Sequence, residues 1–159
     1  MPTTTIKETA ALDAWVRLLR GHAALVRELN AQLLRDHGLT INDYEALLLL
    51  ANAEGGRLRR TDLSKSLQLT PSGVTRLLDG LEDAALVCRA SCQGDGRVTY
   101  AVLTEAGRGK LAAASCSHVA AIEKLFDEHY TPQEVGSLAE LLGRLPGAGG
   151  RASCRAPAA

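Results

Sequence analysis

Apolar residues recur at three- and four-residue steps through most of this chain. Leu12, Val16, Leu19, Ala23, Val26 and Leu33 form one stripe, the spacing of a helix with a single buried face. Thr9 stands where an N-cap belongs and Gly38 where a left-handed C-cap belongs, so a helix is expected over about 9–37. A second helix follows Thr40 or Asn42, carries Tyr44, Leu47, Leu48 and Leu50, and stops near Glu54-Gly55-Gly56. The pattern then tightens. Leu63 and Leu67 lie four apart on a short helix, Thr70-Pro71-Ser72 opens another, and Val74, Leu77, Leu78 and Leu81 are its apolar face. At Leu86-Val87 the period changes to two. Gly94-Asp95-Gly96-Arg97 is a turn sequence, and Val98 to Leu103 returns as the second strand. Thr104 opens a long helix to about His129, with Leu111, Ser115, His118, Ile122 and Leu125 on one face. Thr131-Pro132-Gln133-Glu134 starts the last helix as cap, first-turn proline and capping-box acid. Val135, Leu138, Leu141, Leu142 and Leu145 are its apolar side.

Helix, tight turn, helix and hairpin in that order predict a winged helix-turn-helix. The fold class is therefore mainly α with a small β-wing, the winged helix-turn-helix covering about 40–103. Helices at about 9–37 and 104–145 flank it within one domain over 9–145. Residues 1–8 read as a flexible arm, and 146–159, rich in Gly, Ala, Pro and Arg, as a disordered tail. A chain of 159 residues suits one domain with a real core. Few aromatics among many aliphatics favour helices over a sandwich or barrel.

Charge changes the picture locally. The formal net charge is zero, yet Arg57, Arg59, Arg60, Lys65, Arg76, Arg89 and Arg97 crowd the middle third. A basic face on a neutral protein points to nucleic acid better than bulk charge does. No basic segment leads into an apolar run at the N-terminus, so no secretory signal is expected. The apolar run Ala46–Ala51 is too short to span a bilayer. A cytoplasmic location, no membrane partner and mostly reduced cysteines at Cys88, Cys92, Cys116 and Cys154 are the corresponding expectations.

A recognition helix enters the major groove with its N-terminal residues facing base edges. Thr70 would cap that end, Ser72, Thr75 and Arg76 would face outward, and Gly73 would let the helix sit close to the DNA backbone. Hydroxyls bond phosphates or bases, and Arg holds guanine bidentately. At the wing, Arg97 would enter the minor groove, where narrow tracts concentrate negative potential. Asp95 would orient its guanidinium or simply form the turn. Arg60 and Arg89 complete the expected contacts to double-stranded DNA.

Asp62-Leu63-Ser64, Leu69-Thr70-Pro71-Ser72-Gly73-Val74-Thr75-Arg76-Leu77-Leu78-Asp79, Leu81-Glu82, Leu86-Val87-Cys88-Arg89, Asp95-Gly96-Arg97 and Leu103-Thr104-Glu105-Ala106-Gly107 together resemble the MarR family of bacterial transcriptional regulators. The resemblance implies an obligate dimer built from the terminal helices on a pseudo-palindrome. It also implies repression relieved by a small phenolic or lipophilic anion, or by cysteine oxidation. Two positions depart from the family pattern. Ala85 stands where glycine is usual, which would strain a left-handed residue, and Cys88 replaces a polar or basic residue.

The dimer is expected without the family. The terminal helices carry more apolar stripe than a small winged-helix core can cover, and a two-fold dimer sets two recognition helices about 34 Å apart or a multiple of it. Trp15, His22 and Tyr44 would line an inducer pocket with one aromatic wall and polar handles; plain packing is the other reading of each. Cys88 and Cys92, on one face of the first wing strand, would make an oxidation sensor if Arg89 and Arg97 lower a thiol pKa. At about 13 Å apart they could not bond to each other without rearrangement. No metal site and no cofactor are expected, although His118 and His129 could meet a metal across a dimer. Gly94-x-Gly96 lacks the third glycine of a dinucleotide loop, the lead glycine of Gly107-Arg108-Gly109-Lys110 is too close for a phosphate loop, and no Gly-x-Ser-x-Gly turn occurs, so the chain does not read as an enzyme. The remaining alternative is a helical dimer that binds protein partners instead of DNA.

Overall fold

The computed structural model describes residues 9–92 and 95–148, with backbone alone at 92 and 95–98. Its elements run α1 (Ala10–His37), α2 (Ile41–Asn52), a single 3-10 turn (Glu54–Gly56), β1 (Arg57–Arg59), α3 (Arg60–Ser66), α4 (Pro71–Asp83), β2 (Val87–Cys92), β3 (Asp95–Leu103), α5 (Glu105–Asp127) and α6 (Pro132–Gly143). The expected arm at 1–8 and most of the expected tail, 149–159, lie outside the described residues. Pro146–Ala148 form a turn in which the Ala148 N–H donates to the Leu145 carbonyl.

Side chains written into the sequence start the helices. Thr9, Thr40, Thr70, Thr104 and Thr131 each stand at an N-cap, accepting a hydrogen bond from a backbone N–H two or three residues into the helix. Of the two candidates for the start of α2, Thr40 holds the cap, and Asp43 closes a capping box with it. Gly38 ends α1 in the left-handed region at φ 66°. Two helices end instead on Schellman motifs with no glycine. After α3, the Leu69 N–H reaches the Ser64 carbonyl and the Gln68 N–H that of Lys65. After α4, Leu86 bonds Leu81 and Ala85 bonds Glu82. The left-handed residues there are Gln68, φ 53°, and Ala85, φ 58°. The first makes the tight turn of the helix-turn-helix. The second aims the chain from α4 into the wing.

The sheet is antiparallel in the order β1-β3-β2. The third strand, β1, was not expected from the sequence. Three residues are too few for an alternating pattern to register, and pairing of Arg57 with Val102 and Arg59 with Tyr100 creates the strand. The hairpin differs too. β3 begins at Asp95, and Cys92 pairs with Asp95 after a register shift at Ser91/Cys92. Asp95, Gly96 and Arg97, expected in the turn, thus belong to β3, and Gly94 lies outside the described residues. α5 ends at Asp127, two residues before the expected His129.

The core is one cluster contributed by α1, α2, α3, α4, the sheet and α5. Leu33, Leu47, Leu50, Leu63, Val74, Leu78, Val87, Leu103 and Leu111 are its main members. Gly107 lies where α5 crosses the start of the wing. A Cβ there would fall against the Leu86 carbonyl oxygen and 2.7 Å from Leu103 Cδ1. α6 contributes no buried residue.

Candidate nucleic-acid interface

Val74, Leu78 and Leu81 bury one side of α4, so its position follows from core packing, and Ser72 and Arg76 are left exposed in its first turns. Thr70 Oγ1 accepts the Gly73 N–H at 3.1 Å and lies 3.2 Å from Ser72 Oγ. Gly73 faces inward: a Cβ would sit 3.2 Å from Thr70 Oγ1 and 3.6 Å from Leu69 Cβ. The missing side chain therefore protects the cap. Thr75 is half-buried and already engaged. Its hydroxyl donates to the Pro71 carbonyl at 2.9 Å and accepts from the Arg60 guanidinium. Arg60, on α3, thus reaches the recognition helix instead of projecting freely.

Arg89 leaves β2 toward the back of α4. Its guanidinium pairs with Asp79 and, at 2.9 Å, with Glu82. The acids late in α4 thereby hold the wing. Cys88 is exposed on the opposite face of the strand, so the neighbouring Arg points away from its thiol and carries two carboxylate partners. The side chains of Cys92, Asp95 and Arg97 lie outside the described residues.

Two clefts border α4. One, of about 570 Å³, runs between α3, the start of α4 and β3, and Arg59, Arg60, Lys65, Pro71 and Thr99 are on its walls. Beside it Arg57 and Arg59 lie over the Tyr100 ring at 5.3 and 5.9 Å. Arg57 and Arg59 had been part of a basic run, but nothing in the sequence tied them to Tyr100, forty residues on. The other cleft, of about 420 Å³, lies between the α1–α2 corner, the far half of α4 and α5. Leu39, Leu77, Leu81 and Leu86 are its apolar walls, with Arg76 and Lys110 as cations and Asp43, held by the Thr40 cap, as a carboxylate.

The three expected ligand residues do not meet in one chain. Trp15 and His22 are exposed on α1, and Tyr44 is buried where α2 meets α5. There the Tyr44 hydroxyl lies 3.1 Å from Ser115 Oγ, and its ring is 4.7 Å from that of His118. His118 Nδ1 is 3.2 Å from Gln32 Oε1, and the Gln32 amide donates to Asp36 and Ser117. Trp15 is 17 residues before Gln32 on the same helix, roughly 25 Å along its axis. Burial also corrects the idea of a metal shared through His118. The ring is 4% exposed, packed against its own α1 and α2, and desolvation lowers its pKa. His129 is exposed. Among the described residues no three His, Cys, Asp or Glu side chains group as metal ligands, and no helix is long and apolar enough to cross a membrane.

A model of the MarR family matches residues 37–98. AbsC, a MarR family transcriptional regulator from Streptomyces coelicolor, is 32% identical with a TM-score of 0.74, over 87% of this chain and 93% of that one. The chain belongs to the MarR family. Sco3205, another MarR family regulator from that organism, solved in complex with DNA, is 30% identical with a TM-score of 0.76, over 88% of each chain. The transcriptional repressor YetL of Bacillus subtilis is 32% identical over 108 residues, 68% of this chain and 64% of YetL. The chain thus spans slightly less than two thirds of that relative. MarR proteins are DNA-binding transcriptional regulators, not enzymes.

Proposed function

We infer that two copies of this chain bind a pseudo-palindromic operator, repress transcription from it, and are released by a small amphipathic anion. The observation that carries DNA binding is α4 itself. One face is locked into the core, and the first turns of the other offer Ser72 and Arg76 beside a basic cleft. The DNA complex of Sco3205 and the repressor activity named for YetL support the reading.

Unspent apolar surface supports the dimer. Trp15 and Leu141 are each 56% exposed, Leu12, Leu19 and Leu145 are exposed with them, and α6 buries nothing against its own chain. The 420 Å³ cleft supports release. Its leucines suit a ring or short acyl group, and Arg76 and Lys110 suit a carboxylate or phenolate. Because Arg76 also belongs to the recognition helix, an anion held there competes with DNA for the same guanidinium, and the two ligands oppose each other by linkage.

Gel-shift of the duplex flanking the gene, titrated with aromatic carboxylates and phenols, tests the reading. The expected result is a specific shift, a two-fold symmetric footprint, and release by at least one anion with Arg76→Lys less responsive. Binding that no anion relieves leaves a repressor without this inducer class. Absence of a shift on flanking DNA and on a random-site library overturns the operator reading.

A further inference from the structure

We propose that Thr75 reads a thymine in the operator through its γ-methyl and not through its hydroxyl, which makes it a specificity-determining residue of the recognition helix; this rests on the DNA-binding reading above. α4 turns Val74, Leu78 and Leu81 into the core. Thr75 lies three residues after Ser72 and one before Arg76, on the side that those two exposed residues mark. Its hydroxyl donates to the Pro71 carbonyl at 2.9 Å, and the Arg60 guanidinium donates to the same oxygen. One partner is on α4 and the other on α3, so rotation about χ1 would break bonds to two elements at once.

A hydroxyl has one proton and two lone pairs. The proton is committed within α4, so none is left for the acceptor atoms of a base edge. One lone pair is taken by Arg60, and the cation beside the other repels the amino donors of adenine and cytosine. The γ-methyl is the part of the side chain with no such commitment. Back-bonding to the carbonyl four residues earlier is an ordinary geometry for threonine in a helix, so the arrangement holds without strain. The first turns of a recognition helix face base edges, and the apolar group that the major groove presents there is the 5-methyl of thymine. Sequence alone offers the hydroxyl as a base or phosphate contact. The bond from Arg60, fifteen residues back, exchanges it for an apolar one.

The test is fluorescence anisotropy on a duplex bound by the wild type, taken from the flanking DNA or from random-site selection. Each thymine is replaced in turn by deoxyuridine, which lacks only the methyl. At one position the wild type should lose about fourfold in affinity for each half-site altered, the weight of one buried methyl. Thr75→Val has the same shape without the hydroxyl and should keep that loss. Thr75→Ser keeps both hydroxyl bonds without the methyl. It should bind the thymine and deoxyuridine duplexes equally, about as tightly as the wild type binds the deoxyuridine one. Circular dichroism confirms that each variant is folded. A Thr75→Ser protein that keeps all of the wild-type discrimination overturns the methyl reading, and so does a Thr75→Val protein that loses it. A wild type that binds its duplex specifically but is indifferent to every replacement overturns it too. The regulator reading stands in all three cases. A wild type that binds neither flanking DNA nor any member of a random-site library overturns both.

Discussion

Ala85 occupies a left-handed position that the Schellman motif after α4 requires, with its carbonyl accepting the Thr104 hydroxyl at 2.8 Å. A Cβ in that region costs about 1–2 kcal/mol, partly returned by glycine's greater freedom in the unfolded chain. Ala85→Gly is therefore expected to stabilise the protein by about 1 kcal/mol, read as a higher urea midpoint at unchanged m-value. Gly107 is the opposite case. Its neighbours are the Leu86 backbone and Leu103, which are not the free ends of flexible side chains, so α5 would have to lift off the wing to admit a methyl. Gly107→Ala should cost about 3 kcal/mol in the same denaturation experiment. Glycine suits this point of the wing-to-helix corner because the α5 backbone lies directly against the Leu86 carbonyl.

At the level of elements, contacts between helices and strands determine what the interface residues can do. Arg89 was expected on DNA from its charge and position, but Asp79 and Glu82 hold it against α4. Such partly exposed pairs add little to global stability; their effect is on orientation. Arg89→Gln and Asp79→Asn/Glu82→Gln should both speed amide exchange in Val87–Cys92 and Asp95–Leu103, and Arg89→Gln should leave the salt slope of DNA binding unchanged. A slope lowered by nearly two units, about 0.9 for one phosphate on each of the two protomers, would put Arg89 on a phosphate. The junction of α1, α2 and α5 has its own signature. Burial lowers the pKa of His118 from the ordinary 6.5, so near and below that value the unfolded chain takes up a proton that the folded chain resists. Gln32 and Tyr44 face the ring directly, with Asp36 reached through Gln32. The contribution of His118 to stability is therefore full above pH 6.5 and lost as pH falls through the lowered folded value. Urea stability measured from pH 8 to 5 should fall on the acid side, and His118→Gln should flatten that limb whatever it does to the plateau.

The whole molecule carries an unsatisfied face. Leu141 projects from α6, which lends nothing to the core, Leu145, expected on that helix, projects from the turn just beyond its end at Gly143, and Leu12, Trp15 and Leu19 are exposed on the first half of α1. Leu141→Glu/Leu145→Glu should convert a dimer to monomers in sedimentation velocity while retaining most of the helical signal, since no buried contact is removed within the chain. DNA affinity should fall steeply with it, because in the proposed dimer two recognition helices about one turn apart would bind as a pair. A variant that remains dimeric moves the interface away from α6.

Local signals in this chain are strong where a single residue type answers a single backbone need. Five threonines begin five helices, Gly38 ends one, and the change of period at Leu86-Val87 announces the wing, so the element order and the winged helix-turn-helix were legible from residue patterns. The same is true of Ala85, whose departure from glycine points to the strain that its left-handed backbone carries. Pairing at long range was not legible. β1 exists because Arg57 and Arg59 find Val102 and Tyr100, the partners of Arg89 and the Arg60 that reaches Thr75 come from other elements, and Tyr44 and His118 belong to a buried polar network while Trp15 and His22 stay on the surface. Periodicity records which face of an element is apolar, and it contains no information about which polar groups that packing will bring within 3 Å of one another. Caps and faces are local consequences of residue chemistry; registers, ion-pair partners and the division between buried and unspent surface arise from chain segments tens of residues apart settling against one core.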